Sequence, residues 1–134
     1  MSDRSSYIPF AVLSCLVACG AVWADESTAP PAGAPPLGDA AHGAVVYQVC
    51  MGCHSLDEDD VGPHHRGVVG RTAGSVPGFG YSPALKGAQI VWDRVNLDRW
   101  LTDPQALVPG TRMFFAMPSA QDRADVIAYL IQQR

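Results

Sequence analysis

The sequence predicts one all-α domain of three to five helices joined by long loops. Helix-capping residues and helical spacing of apolar residues occur near both ends of the domain. The sequence has no strand-like alternation of useful length and no internal repeat. Residues 55–94 and 103–118 are long irregular segments, which a compact domain seldom tolerates unless something large organises them. We therefore expect helices and loops around a large bound group.

Residues 1–24 predict an export signal. Arg4 lies in a short polar start, an apolar run covers residues 9–23, and the small residue Ala24 suits a cleavage site. The apolar run has about 15 residues, whereas a transmembrane helix needs roughly 20. The domain is therefore expected to be periplasmic, in a bacterium.

An alternative signal ends at residue 18, because small residues precede Cys19 as in a bacterial lipoprotein. An acyl group on Cys19 would tether the domain through residues 25–37, a Pro/Ala-rich linker. We expect membrane association only with this lipidation or with a retained signal. The domain itself is residues 38–134.

Composition and charge limit the possible partners. The chain is 48% hydrophobic and 16% charged, as expected for a globular monomer, and its formal charge is −4. Loss of residues 1–24 removes one acid and one base, so the charge stays at −4. An acidic domain of this kind is not expected to bind nucleic acid.

Three helices have sequence signals. Asp39 can cap a first helix that runs to Val49, and residues 96–102 have apolar side chains at helical spacing. Ser119 forms a capping box with Asp122 for a terminal helix over residues 122–133. Its predicted polar side comprises Asp122, Arg123, Asp125 and Gln132. Its predicted apolar face packs on the first helix and comprises Val126, Ile127, Tyr129, Leu130 and Ile131.

The main chemical motif is Cys50-Met51-Gly52-Cys53-His54, the C-x-x-C-H pattern of haem attachment. In it, both thiols bond to the porphyrin edge and the adjacent imidazole reaches the iron. The alternatives are a disulfide, a thioredoxin-like redox pair or half of a zinc site. The sequence has neither a βαβ pattern nor a second Cys pair to support them.

From Gly38 onwards the chain resembles the class I, mitochondrial-type cytochromes c. Besides the haem motif, five further segments match the family in order: residues 62–71, 77–82, 90–92, 109–113 and 125–130. The resemblance implies the class I cytochrome c fold, with long loops wrapped around one covalent haem c.

The resemblance also implies the iron ligands. The methionine of the family's Pro-Gly-Thr-basic-Met loop is Met113, which would ligate the iron together with His54. The alternative is that Met113 fills the core and that Met117 or a histidine ligates instead. The Pro63 carbonyl matches the acceptor for the axial imidazole N–H. His64 and His65 are expected to be ordinary surface or loop residues.

Three further residues match the family's hydrogen-bond partners of the haem propionates, namely Arg71, Tyr81 and Trp92. Ordinary packing is the alternative for all three. Gly43 and Tyr129 match the small and aromatic residues where the first and last helices cross.

The chain departs from the family pattern in several places. Trp100 replaces the tyrosine that usually stands near the methionine sulfur, and Leu85 replaces a common asparagine. The lysines of the usual docking face are absent except for Lys86, and Gln105 and Ala106 stand at two of their positions. The acidic run 57–60 is either a docking patch or a solvated turn.

The resulting prediction is a single-electron carrier rather than an enzyme. Its expected partners are redox proteins, such as a cytochrome bc-type complex, a terminal oxidase or a periplasmic dehydrogenase. One alternative is a peroxidase or gas sensor with an open iron site, and another is a tethered electron-transfer subunit of a larger oxidase or dehydrogenase.

Overall fold

The computed structural model describes residues 36–134, so the predicted export signal, Cys19 and nearly all of the linker lie outside the described residues. The described part contains five α-helices and no strand, only an antiparallel bridge between Thr72 and Val91. The all-α prediction is confirmed. The helices are α1 (Ala40–Val46), which a 3₁₀ turn (Tyr47–Val49) extends, α2 (Pro83–Gly87), α3 (Arg94–Thr102), α4 (Pro104–Leu107) and α5 (Ala120–Gln132).

Both predicted N-caps are present. The Asp39 carboxylate accepts from the backbone N–H groups of Ala41 and His42 at the start of α1. The Ser119 hydroxyl accepts from the N–H of Asp122 at 3.1 Å. Helix α5 begins two residues before the predicted start because Ser119 is itself the cap. Helix α3 likewise begins at Arg94, because Asp93 caps it.

Helices α2 and α4 were not predicted. Each has five residues or fewer, which is too short for apolar periodicity to show. Their signals are local: Ser82 and Asp103 are N-caps, and each is followed directly by a proline. These two helices lie within residues 55–94 and 103–118, which were expected to be irregular.

Helices α1 and α5 cross at Gly43, as the sequence predicts. A Cβ atom at this position would lie 2.0 Å from the Asp125 carbonyl oxygen and 2.9 Å from the Tyr129 Cβ. Only glycine permits this approach. The first and last helices of the domain therefore pack directly against each other at this residue.

The prediction that Asp125 lies on the polar side of α5 is wrong. Its side chain is buried and accepts from the Asp39 N–H at 2.7 Å, from Gln121 Nε2 at 2.8 Å and from His42 Nδ1 at 2.7 Å. These bonds lower the pKa of Asp125, and that of the Asp39 N–H contributes most. Asp125 therefore joins the two crossing helices through a satisfied buried carboxylate.

None of the helices in residues 36–134 is both long and apolar enough to cross a membrane.

Candidate functional site

One cavity of about 410 Å³ brings together the residues that the sequence predicts for the site. Helices α2, α3 and α5 and the 3₁₀ turn supply apolar side chains to it, and the loops supply the rest. Its lining includes all nine predicted site residues: Cys50, Cys53, His54, Pro63, Arg71, Tyr81, Trp92, Trp100 and Met113.

The two cysteines lie on one helical turn. The N–H groups of Cys53 and His54 both donate to the Cys50 carbonyl, at 3.1 and 2.9 Å. Both thiols are free, and burial raises the pKa of Cys50 to about 11. A thioredoxin-like pair needs a low thiol pKa, so this value disfavours that alternative.

His54 has a fixed and neutral imidazole. Its Nδ1–H donates to the Pro63 carbonyl at 2.7 Å, which leaves Nε2 as the free nitrogen. Burial lowers the pKa of His54, so the ring stays uncharged and able to donate a lone pair. A Cβ on the preceding loop residue Gly62 would lie 2.1 Å from His54 Cε1, so only glycine fits there.

His65 is not the surface or loop residue that the sequence analysis expects. It lines the cavity, and its ring stacks on that of His54 with centroids 4.0 Å apart and planes 23° apart. Burial lowers its pKa to about 3, so it is neutral. His64 matches the expectation better, since it lies outside the cavity lining and donates Nδ1–H to Asp59 at 2.7 Å.

Met113 lies on the cavity, whereas Met117 does not. The Met113 sulfur accepts from Trp100 Nε1 at 3.2 Å, so the indole replaces the donor that the missing tyrosine would provide. Met117 is buried in the core outside the cavity lining. Of these two methionines, only Met113 is placed to serve the site.

Gln105 is a site residue that the sequence analysis missed. In the sequence it is noted only because it stands at a position where the family often has lysine. In the structure its Nε2 donates to the carbonyls of Thr111 at 2.9 Å and Met113 at 3.1 Å. It therefore fixes the methionine loop from α4. A glutamine in an unrecognised four-residue helix gives no sequence signal for this contact.

Arg71, Tyr81 and Trp92 lie together on the cavity wall. The Arg71 guanidinium donates to the backbone carbonyls of His64, at 2.9 Å, and Arg66. The backbone N–H of Trp92 donates to the Arg71 carbonyl at 2.9 Å. This bond holds the chain segments that carry Arg71 and Trp92 side by side.

The donor set of the cavity fits a covalently attached haem. Two free thiols, a neutral imidazole with one free nitrogen and a thioether sulfur all face one predominantly apolar space. Thiols for the porphyrin edge and a nitrogen–sulfur pair for iron are the groups that such a haem requires.

The acidic run 57–60 is partly neutralised within the domain. Arg66 pairs with Asp57, its Nη2 donating at 3.1 Å, and Asp59 accepts from the N–H and Nδ1–H of His64. These contacts lower the pKa of both aspartates. The run is therefore a structured turn with two of its four acids paired.

The exposed rim of the cavity is mainly apolar, and Arg112 is the one charged residue among its exposed lining residues. Phe114 is 77% exposed, Val61 75% and Val49 57%, and all three line the cavity. This rim is where a partner would approach a group held inside.

Comparison with known proteins gives consistent matches. The family model described as cytochrome c matches residues 40–133. Cytochrome c2 of Rhodomicrobium vannielii is 41% identical over 127 residues, covering 92% of this chain and 96% of that protein. Cytochrome cH from Methylobacterium extorquens has a similar structure, with a TM-score of 0.68, 42% identity and coverage of 70% of this chain and 98% of its own. Ferricytochrome c2 from Rhodopseudomonas palustris also has a TM-score of 0.68, at 38% identity, with coverage of 72% and 99%.

Proposed function

We propose, on the premise that the chain belongs to the class I cytochrome c family, that His54 and Met113 are the axial ligands of its haem iron. Family membership makes the protein a monohaem electron carrier with one covalent haem c, and not an enzyme. The single observation that carries the proposal is that both side chains face the cavity that also contains the two thiols.

The ligand pair determines the chemistry that the haem supplies when bound, which is one reversible Fe(III)/Fe(II) couple. Neutral His54 offers Nε2, because its other nitrogen donates to the Pro63 carbonyl and so sets the tautomer. The Met113 thioether is a soft donor that favours Fe(II) and raises the reduction potential. Cys50 and Cys53 would attach the porphyrin edge through thioether bonds.

We assign Arg71, Tyr81 and Trp92 to the propionate groups. All three line the cavity, and a buried carboxylate needs donors of this kind. Burial raises the pKa of Tyr81, so its hydroxyl keeps the proton that it would donate.

The ligand assignment is tested by the ferric absorption spectrum of the holoprotein. Methionine sulfur on ferric haem gives a weak red band, which we expect in the wild type and in a Met117→Leu control. Met113→Ala should lose the band and bind added imidazole readily. A band that survives in Met113→Ala, or that is lost in Met117→Leu, would overturn the assignment.

We also propose a location and partners for the carrier. The protein is exported to the periplasm and exchanges electrons with redox proteins such as a cytochrome bc-type complex, a terminal oxidase or a periplasmic dehydrogenase. The predicted signal in residues 1–24 and the similarity to cytochromes c2 support this setting. The other two functions weighed for the sequence, an open-site haem enzyme and a tethered subunit, have no support among these relatives.

Cell fractionation and N-terminal sequencing of the full chain test the location. Release of soluble protein into the periplasm after cleavage at residue 24 is expected. Palmitate labelling that disappears in Cys19→Ala would instead show a lipid anchor.

We further propose that partners dock on the apolar rim and not on the acidic run. Val49, Val61 and Phe114 form an exposed apolar surface beside the single cation Arg112, whereas Asp57 and Asp59 already have partners within the domain. Reduction of the holoprotein by a purified cytochrome bc-type complex should therefore slow more in Phe114→Ser than in Glu58→Gln. The rate of this reduction in the wild type should change little with added salt. A strong slowing by salt would favour the acidic run.

A further inference from the structure

The ring of His65 lies between two other rings. On one side it stacks on His54, with 4.0 Å between centroids and 23° between planes. On the other side it meets Tyr47, whose ring centroid is 5.7 Å away and whose hydroxyl is hydrogen-bonded to His65 Nδ1 at 3.1 Å. A polar side chain is thus held directly against the imidazole that is proposed to bind iron.

The backbone holds His65 in this position. Its N–H donates to the Ser55 carbonyl at 2.9 Å, and its carbonyl accepts from the Val68 N–H at 2.9 Å. The segment that carries His65 is thereby joined to the residue that follows His54. These bonds fix the backbone position from which the stacked ring extends.

Tyr47 connects this stack to the helix crossing. It is 2% exposed, and its ring lies 5.1 Å from that of Tyr129 on α5. A continuous row of rings therefore leads from Tyr129 through Tyr47 and His65 to His54. The row begins at the crossing of α1 and α5 and ends at the proposed ligand.

The bond to Pro63 alone does not determine how the His54 ring is oriented. One hydrogen bond at Nδ1 limits rotation about the Cβ–Cγ bond from one edge of the ring only, and it tolerates a range of angles because terminal torsions of this kind are broad. A flat ring stacked on the imidazole face restricts that rotation.

We propose that His65 is a positioning residue that fixes the plane of the His54 imidazole, and that the Tyr47 hydroxyl holds the His65 ring in its stacked position. The inference rests on the proposed function, because it assumes that His54 is an axial ligand. It adds a role for two side chains that the ligand assignment does not use.

The test uses ferric holoprotein expressed from the full chain and one-dimensional proton NMR. In a low-spin ferric haem, the spread of the four methyl resonances depends on the plane of the axial imidazole. His65→Leu removes the stacked ring, and Tyr47→Phe removes only the hydroxyl. His65→Phe keeps a flat ring, and His64→Leu is the control on the neighbouring histidine outside the cavity lining.

We expect His65→Leu to change the methyl spread clearly and Tyr47→Phe to change it in the same direction by less. His64→Leu should stay close to wild type, and His65→Phe, which keeps a flat ring but loses the bond to Tyr47, should change the spread no more than Tyr47→Phe does. Thermal unfolding of each variant separates lost stability from altered ring orientation, since a purely structural role would change the unfolding temperature and leave the methyl pattern intact.

Two outcomes would overturn the proposal: a wild-type methyl pattern in His65→Leu, or, if that variant does not fold, a wild-type pattern in Tyr47→Phe. Failure of the ligand assignment looks different, because the wild type itself would then lack the red band and the low-spin spectrum.

Discussion

The cavity has two walls that hold their proposed ligand side chains by different means. The histidine wall, residues 50–71, fixes His54 through the backbone carbonyl of Pro63, a close glycine and a stacked ring. The methionine wall, residues 97–115, fixes Met113 through the side chains of Trp100 and Gln105. His54 is held largely by backbone groups of its own loop, and Met113 by side chains from two separate helices.

This difference indicates where the site can be adjusted. The contacts of His54 within residues 50–71 are largely set by the course of the backbone, so few substitutions change them without disturbing the loop. Each contact of Met113 depends on one replaceable side chain. We expect changes in the histidine wall to lower the yield of holoprotein. Changes in the methionine wall should instead adjust the imidazole affinity and the reduction potential of the holoprotein.

The largest effect is expected from Gly62→Ala. The new Cβ would lie 2.1 Å from His54 Cε1 and within 2.6 Å of both ring nitrogens, so the imidazole must leave its bond to Pro63. Such overpacking costs about 3 kcal/mol or more. The yield of holoprotein and its unfolding temperature should fall sharply.

Gly52→Ala is the matched control for this variant. It lies within the haem motif, but a Cβ there meets nothing within 4 Å. It should give a normal yield, and a Gly62→Ala protein that behaves equally well would contradict the comparison of the walls.

The next effect is expected from Gln105→Met, which keeps side-chain length and removes two hydrogen bonds to the methionine loop. Each is worth about 1 kcal/mol, so losing both should make the loop open roughly thirty times more often. Imidazole binding to ferric protein should strengthen accordingly, as measured by titration. The exposed Gln48→Met should bind as wild type does, and an unchanged affinity in Gln105→Met would show that the loop is held otherwise.

Trp100→Phe should lower the reduction potential. The indole N–H withdraws electron density from the Met113 sulfur, which makes it a poorer donor to Fe(III) and so favours Fe(II). Loss of one bond of about 1 kcal/mol corresponds to at most about 40 mV for one electron. Redox titration measures the shift.

Val108→Ala, a buried core change outside the cavity lining, serves as the packing control for Trp100→Phe. It should reduce stability and leave the potential near that of wild type. A higher potential in Trp100→Phe would refute the role given to the indole.

The smallest effect on the haem is expected from His42→Gln, which lies in neither wall. Its bond to Asp125 raises the pKa of His42 and helps to lower that of Asp125. A raised histidine pKa stabilises the fold at low pH and stops doing so as pH rises through it. The lowered carboxyl pKa stabilises the fold above about pH 4, and this contribution is lost as pH falls. His42→Gln should therefore lose more stability at about pH 5 than at about pH 9.

Unfolding temperatures of wild type and His42→Gln at the two pH values measure this difference, and the reduction potential should not change. An equal loss at both pH values would mean that the charged pair is not the source of the stability.

The two walls also differ in how far the sequence predicts them. The haem motif and the capping residues Asp39 and Ser119 depend on local pattern, whereas the crossing at Gly43 was implied by the resemblance to the family; the structure contains each of them. His64 and His65 have the same local pattern, and only the folded chain separates a surface ion pair from a ring stacked on His54. The resemblance places Trp100 near the methionine sulfur, whereas the contacts of Gln105 were not foreseen, since they depend on how the loop after α4 folds back on that helix.

The hydrogen bond between Asp39 and Asp125 has a topological consequence, because it joins residues 86 positions apart. Every residue that lines the cavity except Leu130 and Val126 lies inside the loop that this contact closes, and those two follow it directly on α5. Closing so long a loop costs chain entropy, and contacts inside it become less costly once it is closed. Both chain ends are thus needed for cooperative folding, and a truncation that removes α5 would release the whole cavity rather than a single helix.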